Sequence, residues 1–183
     1  MDVDPLIDAL IGREGDYVDH PADRGGPTRF GITAAVARAH GFTGPVRDLP
    51  RETAAAIYRA TYWQRPGFDR VSARAPRLAA ELFDTGANMG PAVAVSFLQR
   101  ALNALNRGAR DYPDVPLDGA IGPATLAALD AFLARRGDEG EAVLLKAVEA
   151  LQGARYLAIA EHRPINEAFV YGWLANRIGT PAK

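Results

Sequence analysis

The sequence predicts a mainly α-helical protein of the α+β kind, with one small β-hairpin element near residues 17–32. Three observations carry that prediction. Apolar residues recur at spacings of three and four in most segments. Gly and Pro, 18 and 13 in number, supply the short loops that join those segments. Only residues 15–32 are too rich in Gly, Pro and Asp for a helix while still holding short strand-forming pairs.

The first helix is expected to start at Asp4-Pro5, where a side-chain acceptor can cap the helix and proline suits the first turn. Leu6, Ile7, Leu10 and Ile11 follow at helical spacing. Ile7, Ile11 and Glu14 share a face, which is expected to be the buried one. Glu14 is therefore expected at the last turn, aimed inward, with Gly15 ending the helix. Short strands are expected around Tyr17-Val18 and from Arg29 to Ile32. Thr33 can cap a short helix through Ala39, which Gly41 ends, and Gly44-Pro45 marks a loop. Arg51 to Tyr62 is helical, with Ile57, Tyr58, Tyr62 and Trp63 as bulky members, and Pro66-Gly67 terminates it.

Beyond that point the pattern is helical almost throughout. Residues 75–89 place Leu78, Leu82 and Phe83 on one side before a Gly90-Pro91 break. Ala92 to Leu105 carries Val95, Leu98, Leu102 and Leu105. Residues 106–118 are loop. Pro123 to Arg135, Glu139 to about Ala160, and Ile165 to Ile178 complete the helices, with Trp173 assigned to the core.

A chain of 183 residues with 48% apolar and 23% charged residues can bury a real core as one domain, or as one domain with a small appendage. Its formal net charge of −1 argues against a broad grip on nucleic acid. With no cysteine it uses neither disulfides nor thiolate metal sites. The N-terminal stretch lacks a basic region, an unbroken apolar segment and a small-residue cleavage site, so no signal peptide is expected. No run reaches the ~20 apolar residues of a membrane span.

The chemistry concentrates in residues 14–33, EGDYVDHPADRGGPTRFGIT. A glutamate on the apolar side of a helix is costly unless something uses it. Burial favours the protonated carboxylic acid, the form a glycosidase uses to protonate a departing sugar oxygen. Against this, Glu14 can simply pair with Arg13, Arg24 or Arg29 at the surface, as such groups commonly do. Asp23 follows nine positions later across a turn-forming loop. That length can set two carboxylates on opposite sides of a cleft, where inverting glycosidases leave ~6.5–9.5 Å for a water. Thr28 can bind that water. Taken singly, Asp23 in DHPADRGG is more often a turn residue than a base.

The spacing of Glu14, Asp23 and Thr28 resembles the Glu…Asp…Thr triad of phage-type lysozymes, with one residue fewer between Asp and Thr. The whole stretch is similar to glycoside hydrolase family 108, the N-acetylmuramidases of phage endolysins and bacterial export systems, whose signature resembles EGGYxxxPxDxGGxTxxGIT. Asp16 stands where the second glycine is usual. The resemblance continues through FDTGANMGP (83–91), FLQRALN (97–103), LDGAIGPATLAAL (117–129) and FVYGWLANR (169–177). The DG-x-IGP-x-T stretch is similar to modules that bind peptidoglycan.

The resemblance implies a lysozyme-like helical fold that cleaves β-1,4 bonds between N-acetylmuramic acid and N-acetylglucosamine without a cofactor. Its catalytic acid falls on Glu14. The roles of Asp23 as base and Thr28 as water holder come from the phage-type pattern. Residues 1–91 are then a catalytic region and 92–183 a peptidoglycan-binding-like region, packed as one compact unit. The expected partner is the peptidoglycan glycan strand, with no nucleic acid and no stable membrane insertion. The expected molecule is a monomer, made in the cytoplasm and released to the wall by a holin or an export system.

Tyr17, Arg29, Phe30, Tyr58, Trp63 and Asn88 are candidate sugar contacts. A ring matches the apolar face of a pyranose, although aromatics at helical spacing are usually core. Asn88 can hydrogen-bond an acetamido group or end a helix. Asp19, His20 and Asp23 lack the spacing of a zinc or calcium site, so no metal is expected. No G-x-S-x-G or persuasive Ser/His/Asp order points to a nucleophile. Two other readings remain. A lytic transglycosylase needs one acid, but the Ser after the Glu and the Gly-Leu-Met-Gln stretch usual in those enzymes are missing. A non-catalytic wall-binding or export-accessory protein would use the DG-x-IGP stretch alone.

Overall fold

The computed structural model describes residues 1–19 and 26–179. The chain forms two compact units, Met1–Arg65 and Pro66–Lys183. The architecture is mainly α with a small three-stranded sheet, as the periodicities predict.

The first unit begins with α1 (Asp4–Glu14), which buries Ile7, Leu10 and Ile11. Its start differs from expectation: Asp4 is the first helical residue, and the Asp2 Oδ1 accepts from the Asp4 amide at 3.0 Å. That frees the Asp4 side chain to pair with Arg59, while Asp8, one turn on, pairs with Arg51 at 2.7 Å. The two ion pairs run along α1 and along α3 (Arg51–Tyr58) to Arg59 just past its end, in opposite chain directions, so the helices lie antiparallel.

Three short strands follow: β1 (Tyr17–Val18), β2 (Thr28–Arg29) and β3 (Ile32–Thr33), paired antiparallel in that order. The strand expected from Arg29 to Ile32 is instead two strands and a turn. Arg29 faces Ile32 across a two-residue loop, Phe30-Gly31, and both loop residues have positive φ, 53° and 74°. Positive φ at both positions is the signature of a tight hairpin turn whose twist matches the strands. Thr33 then caps α2 (Ala34–Ala39), accepting from the Val36 amide at 3.2 Å. After α3 the chain continues as a π-helical turn, Arg59–Gln64, where α-helix was expected to Tyr62.

The second unit contains α4 (Phe68–Ser72), α5 (Pro76–Met89), α6 (Pro91–Leu105), α7 (Pro123–His162) and α8 (Glu167–Arg177). Its core gathers Phe68, Leu78, Leu82, Phe83, Leu98, Leu102, Leu129 and Leu144. The two helices expected at 123–135 and 139–160 are the two arms of α7, broken at Gly137 (φ 61°, ψ −154°), a conformation essentially restricted to glycine. Glu141 on the second arm caps α5 from outside, accepting from the Arg77 and Leu78 amides at 2.8 and 3.2 Å. The loop 107–122 is held by a polar stripe that runs along α6 and ends at Asn106, the residue after it. Gln99 binds Asp118, Gly119 and Ala120; Asn103 pairs both backbone groups of Val115; Asn106 holds Ala109 and Asp114. On α8, Trp173 is half-buried against Tyr156, their ring centroids 5.2 Å apart. No helix among the described residues is long and apolar enough to cross a membrane.

Candidate active site

Glu14 is the last residue of α1, and Gly15 follows with φ 79°. Its expected burial is not observed, since the residue is exposed. The reason is positional. Glu14 shares a helical face with Ile7 and Ile11, but the core ends at Ile11, and the last turn carries Glu14 past it to the hairpin.

There it meets Gly31. A Cβ on Gly31 would lie 3.0 Å from Glu14 Oε2 and 2.6 Å from the Tyr58 hydroxyl oxygen. The carboxylate, the phenol and the glycine of the turn therefore converge on one small space, open only because residue 31 has no side chain. The Tyr58 hydroxyl donates to the Phe30 carbonyl at 2.9 Å. Burial, then the Glu14 carboxylate, raise the Tyr58 pKa strongly, so the phenol remains a proton donor.

The turn is braced from its other side. The Phe30 amide donates to the Asp16 carbonyl at 2.8 Å, and Arg29 Nε donates to Asp16 Oδ1 at 3.0 Å. Arg29 also donates to the Arg47 carbonyl, and its guanidinium lies 5.0 Å from the Phe30 ring centroid. Asp16, the departure from the usual glycine, thus anchors both Arg29 and Phe30. A glycine there would keep the backbone contact and lose the ion pair.

The other candidates separate by position. Thr28 lies half-buried on β2, paired with Val18 and Thr33. Asp23, with His20 and Arg24, lies outside the described residues. Tyr17 is 41% exposed and donates to Asp19 Oδ2 at 3.2 Å. Phe30 is half-buried. Tyr58 and Trp63 belong to the core at 6% and 5% exposure, so among the named aromatics Tyr17 and Phe30 are the accessible ones. Asn88 is in the second unit, near the end of α5. With its amide oxygen turned toward α8 it accepts from Arg177, and Gly90 rather than Asn88 ends the helix.

Sequence reading missed the role of Gly31 and the Tyr58–Phe30 hydrogen bond. A two-residue turn was visible in Phe-Gly between strand formers. The Tyr58 partner, 28 positions away, has no local signal.

Comparison with known proteins gives two adjoining matches. Residues 7–90 match the family described as glycosyl hydrolase 108, and residues 93–178 match the family described as a predicted peptidoglycan domain. Among solved structures the chain is similar to one titled "Structure of Brucella abortus SagA", at 27% identity and a TM-score of 0.63, covering 93% of this chain and 86% of that one. No curated protein sequence matches the chain.

Proposed function

We propose that the chain, whose residues 7–90 match the glycosyl hydrolase 108 family and whose residues 93–178 match a predicted peptidoglycan domain, is a peptidoglycan hydrolase and, within that class, an N-acetylmuramidase cleaving β-1,4 bonds between N-acetylmuramic acid and N-acetylglucosamine. Residues 1–91 supply the catalytic region and 92–183 the wall-binding region. The observation that carries the reading is the Glu14 carboxylate lying against the Phe30-Gly31 turn beside Tyr58, on an exposed residue whose backbone ends α1.

In this mechanism Glu14 gives its proton to the glycosidic oxygen as the bond to the muramic anomeric carbon breaks. A water held by Thr28 attacks that carbon from the opposite face, and Asp23 takes the water's proton. The products are two hydrolysed ends, with inversion at the anomeric carbon. The Tyr58 phenol, a donor whose hydrogen is committed to Phe30, offers Glu14 a neutral neighbour. Tyr17 and Phe30 are the rings placed to lie against sugar.

Glu14→Gln tests the assignment. Loss of reducing ends from purified wall, with an unchanged circular dichroism spectrum, is the expected result; undiminished release would remove Glu14 as the acid. Product masses separate this reaction from a transglycosylase, because 1,6-anhydro ends weigh one water less than hydrolysed ends.

A further inference from the structure

The second unit holds an open cleft of about 540 Å³ between the start of α6, the loop at 117–119 and the second arm of α7. Its charged lining is two guanidiniums and one carboxylate: Arg100 on α6, Arg155 on α7 and Asp118 in the loop. Phe97, Leu117 and Leu151 provide apolar surface between them.

Both arginines are exposed, and among the described residues neither meets a carboxylate or a carbonyl. In the same unit Arg74, Arg135 and Arg177 each pair with an aspartate, while Arg110 and Arg163, like the two cleft arginines, show no such pair among the described residues; what sets Arg100 and Arg155 apart is that they line one cleft. Two cations left unpaired beside one cleft are positioned for an external anion.

The loop is built rather than incidental. Gln99, fully buried, donates to Asp118 Oδ1 at 2.7 Å and accepts from the Gly119 amide at 3.0 Å. The Ala120 amide also donates to Asp118 Oδ1, at 2.9 Å. These bonds favour the ionised carboxylate. Gly119 (φ 70°) presses against α6, where an added Cβ would come within 3.0 Å of the Ala92 carbonyl. Leu117, at the loop's edge, is 58% exposed. The cleft therefore presents a fixed carboxylate, two cations free to turn toward a ligand, and apolar surface on a loop that is already folded.

Peptidoglycan offers two surfaces. Its N-acetylated sugars are uncharged while the muramic lactyl group is amide-linked to peptide, whereas its stem peptides carry free carboxylates, alanine methyl groups and the amine of a diamino acid. Only the peptide matches two cations, an anion and an apolar strip. We propose that this cleft binds the stem peptide, with Arg100 and Arg155 on its carboxylates and Asp118 facing its ammonium group. The proposal rests on peptidoglycan being the substrate and adds a peptide-reading site to a glycan-cleaving enzyme.

The test uses the full chain and three probes: intact peptidoglycan, glycan strands stripped of peptide by an amidase, whose muramic lactyl carboxylates serve as a control anion, and the free stem tetrapeptide containing diaminopimelate. The tetrapeptide should shift backbone amide resonances in 92–119 and 151–155. The double variant Arg100→Ala/Arg155→Ala should bind it at least about tenfold more weakly, as loss of charge-assisted hydrogen bonds implies. KM on intact peptidoglycan should rise by a similar factor with kcat unchanged, and turnover of stripped strands should not change. Arg155→Glu should weaken peptide binding further. Absence of tetrapeptide binding by the wild type, unaltered binding by the double variant, or an equal loss on stripped strands would each overturn the proposal. Failure of the muramidase reading would show separately, as no Glu14-dependent cleavage of either polymer alongside an intact peptide titration.

Discussion

The Tyr58 hydroxyl donates to the Phe30 carbonyl at 2.9 Å, tying α3 to a hairpin turn 28 residues earlier in the chain. Phe30 has φ 53°, a conformation that a bulky L-residue adopts only when its surroundings hold it there. The hydrogen bond is part of that hold. Its donor is also the group that, with Glu14, surrounds Gly31. Tyr58→Phe keeps the ring in the core and deletes the donor. We expect a loss of about 1 kcal/mol in urea unfolding. A larger effect is expected on turnover, roughly tenfold in kcat with little change in KM, because the turn no longer fixes the space beside Glu14. Equal kcat for variant and wild type would show that the bond serves stability alone.

Gly31→Ala asks the same question from the other partner. The new Cβ would sit 2.6 Å from the Tyr58 oxygen and 3.0 Å from Glu14 Oε2, at a position with φ 74°. Backbone strain of about 1–2 kcal/mol and the displacement of both polar groups are expected together. Wall-clearing activity should fall at least about a hundredfold while the thermal unfolding curve stays cooperative. A variant with near wild-type clearing would mean that the Glu14 carboxylate does not act from where the structure places it.

Asp16→Gly restores the residue usual in the resembling signature and removes the ion pair to Arg29, whose carboxylate side is 72% exposed. Exposure limits the pair to about 0–1 kcal/mol, so only a small drop in unfolding free energy is expected. The Phe30 amide keeps its bond to the Asp16 backbone carbonyl, so activity should remain within about twofold. Loss of activity with unchanged stability would assign the Asp16 carboxylate a part in substrate handling.

Much of this arrangement is legible in the sequence, for reasons that differ by element. The faces of α1, α5 and α6 follow from apolar spacing because each helix buries one stripe. The Thr33 cap and the break near Gly137 follow from local backbone chemistry. The Glu14 assignment follows from the signature around it. Its exposure does not, because helical phase says which way a side chain points and not where the core stops. Asp118-Gly119 reads as a turn, yet the buried amide that fixes it, Gln99, lies in a segment whose pattern shows only a helix. Likewise Asp84 and Arg177 belong to separate motifs, and their 2.7 Å contact joins residues 93 positions apart.

Gln99 carries a prediction of its own. Its side chain makes hydrogen bonds to Asp118, Gly119, Ala120 and Thr125 in a fully buried setting. Gln99→Leu removes them all and leaves the Gly119 amide and the Ala120 carbonyl without that partner. A cost of about 2–4 kcal/mol is expected, from desolvated polar groups rather than lost volume. Hydrogen exchange at 117–122 should accelerate more than exchange in α5, whose cap comes from Glu141 and is untouched. Uniform acceleration would mean that Gln99 supports the whole unit and not the loop.

The contact between α5 and α8 brings a pH dependence with it. Burial first, then the charge of Asp84, push the Glu81 pKa up to about 7 from an ordinary 4.5. The Thr85 hydroxyl, which donates to Glu81 Oε1 at 3.1 Å, works the other way, as does Arg177 from α8, while Glu149 on α7 adds to the rise. Between pH 4.5 and 7 the folded chain therefore keeps a proton on Glu81 that the unfolded chain releases. Folding stability from this group is fully present below pH 4.5 and is lost as the pH rises through 7, by about 3 kcal/mol at most. Glu81→Gln keeps a neutral acceptor for Thr85 and cannot ionise. Its Tm should match wild type near pH 4.5 and exceed it at pH 8, with the difference opening across that window. Arg177→Met should widen the wild-type slope, since Glu81 and Asp84 would then face each other without their shared cation. Parallel Tm–pH curves for wild type and Glu81→Gln would place the proton elsewhere.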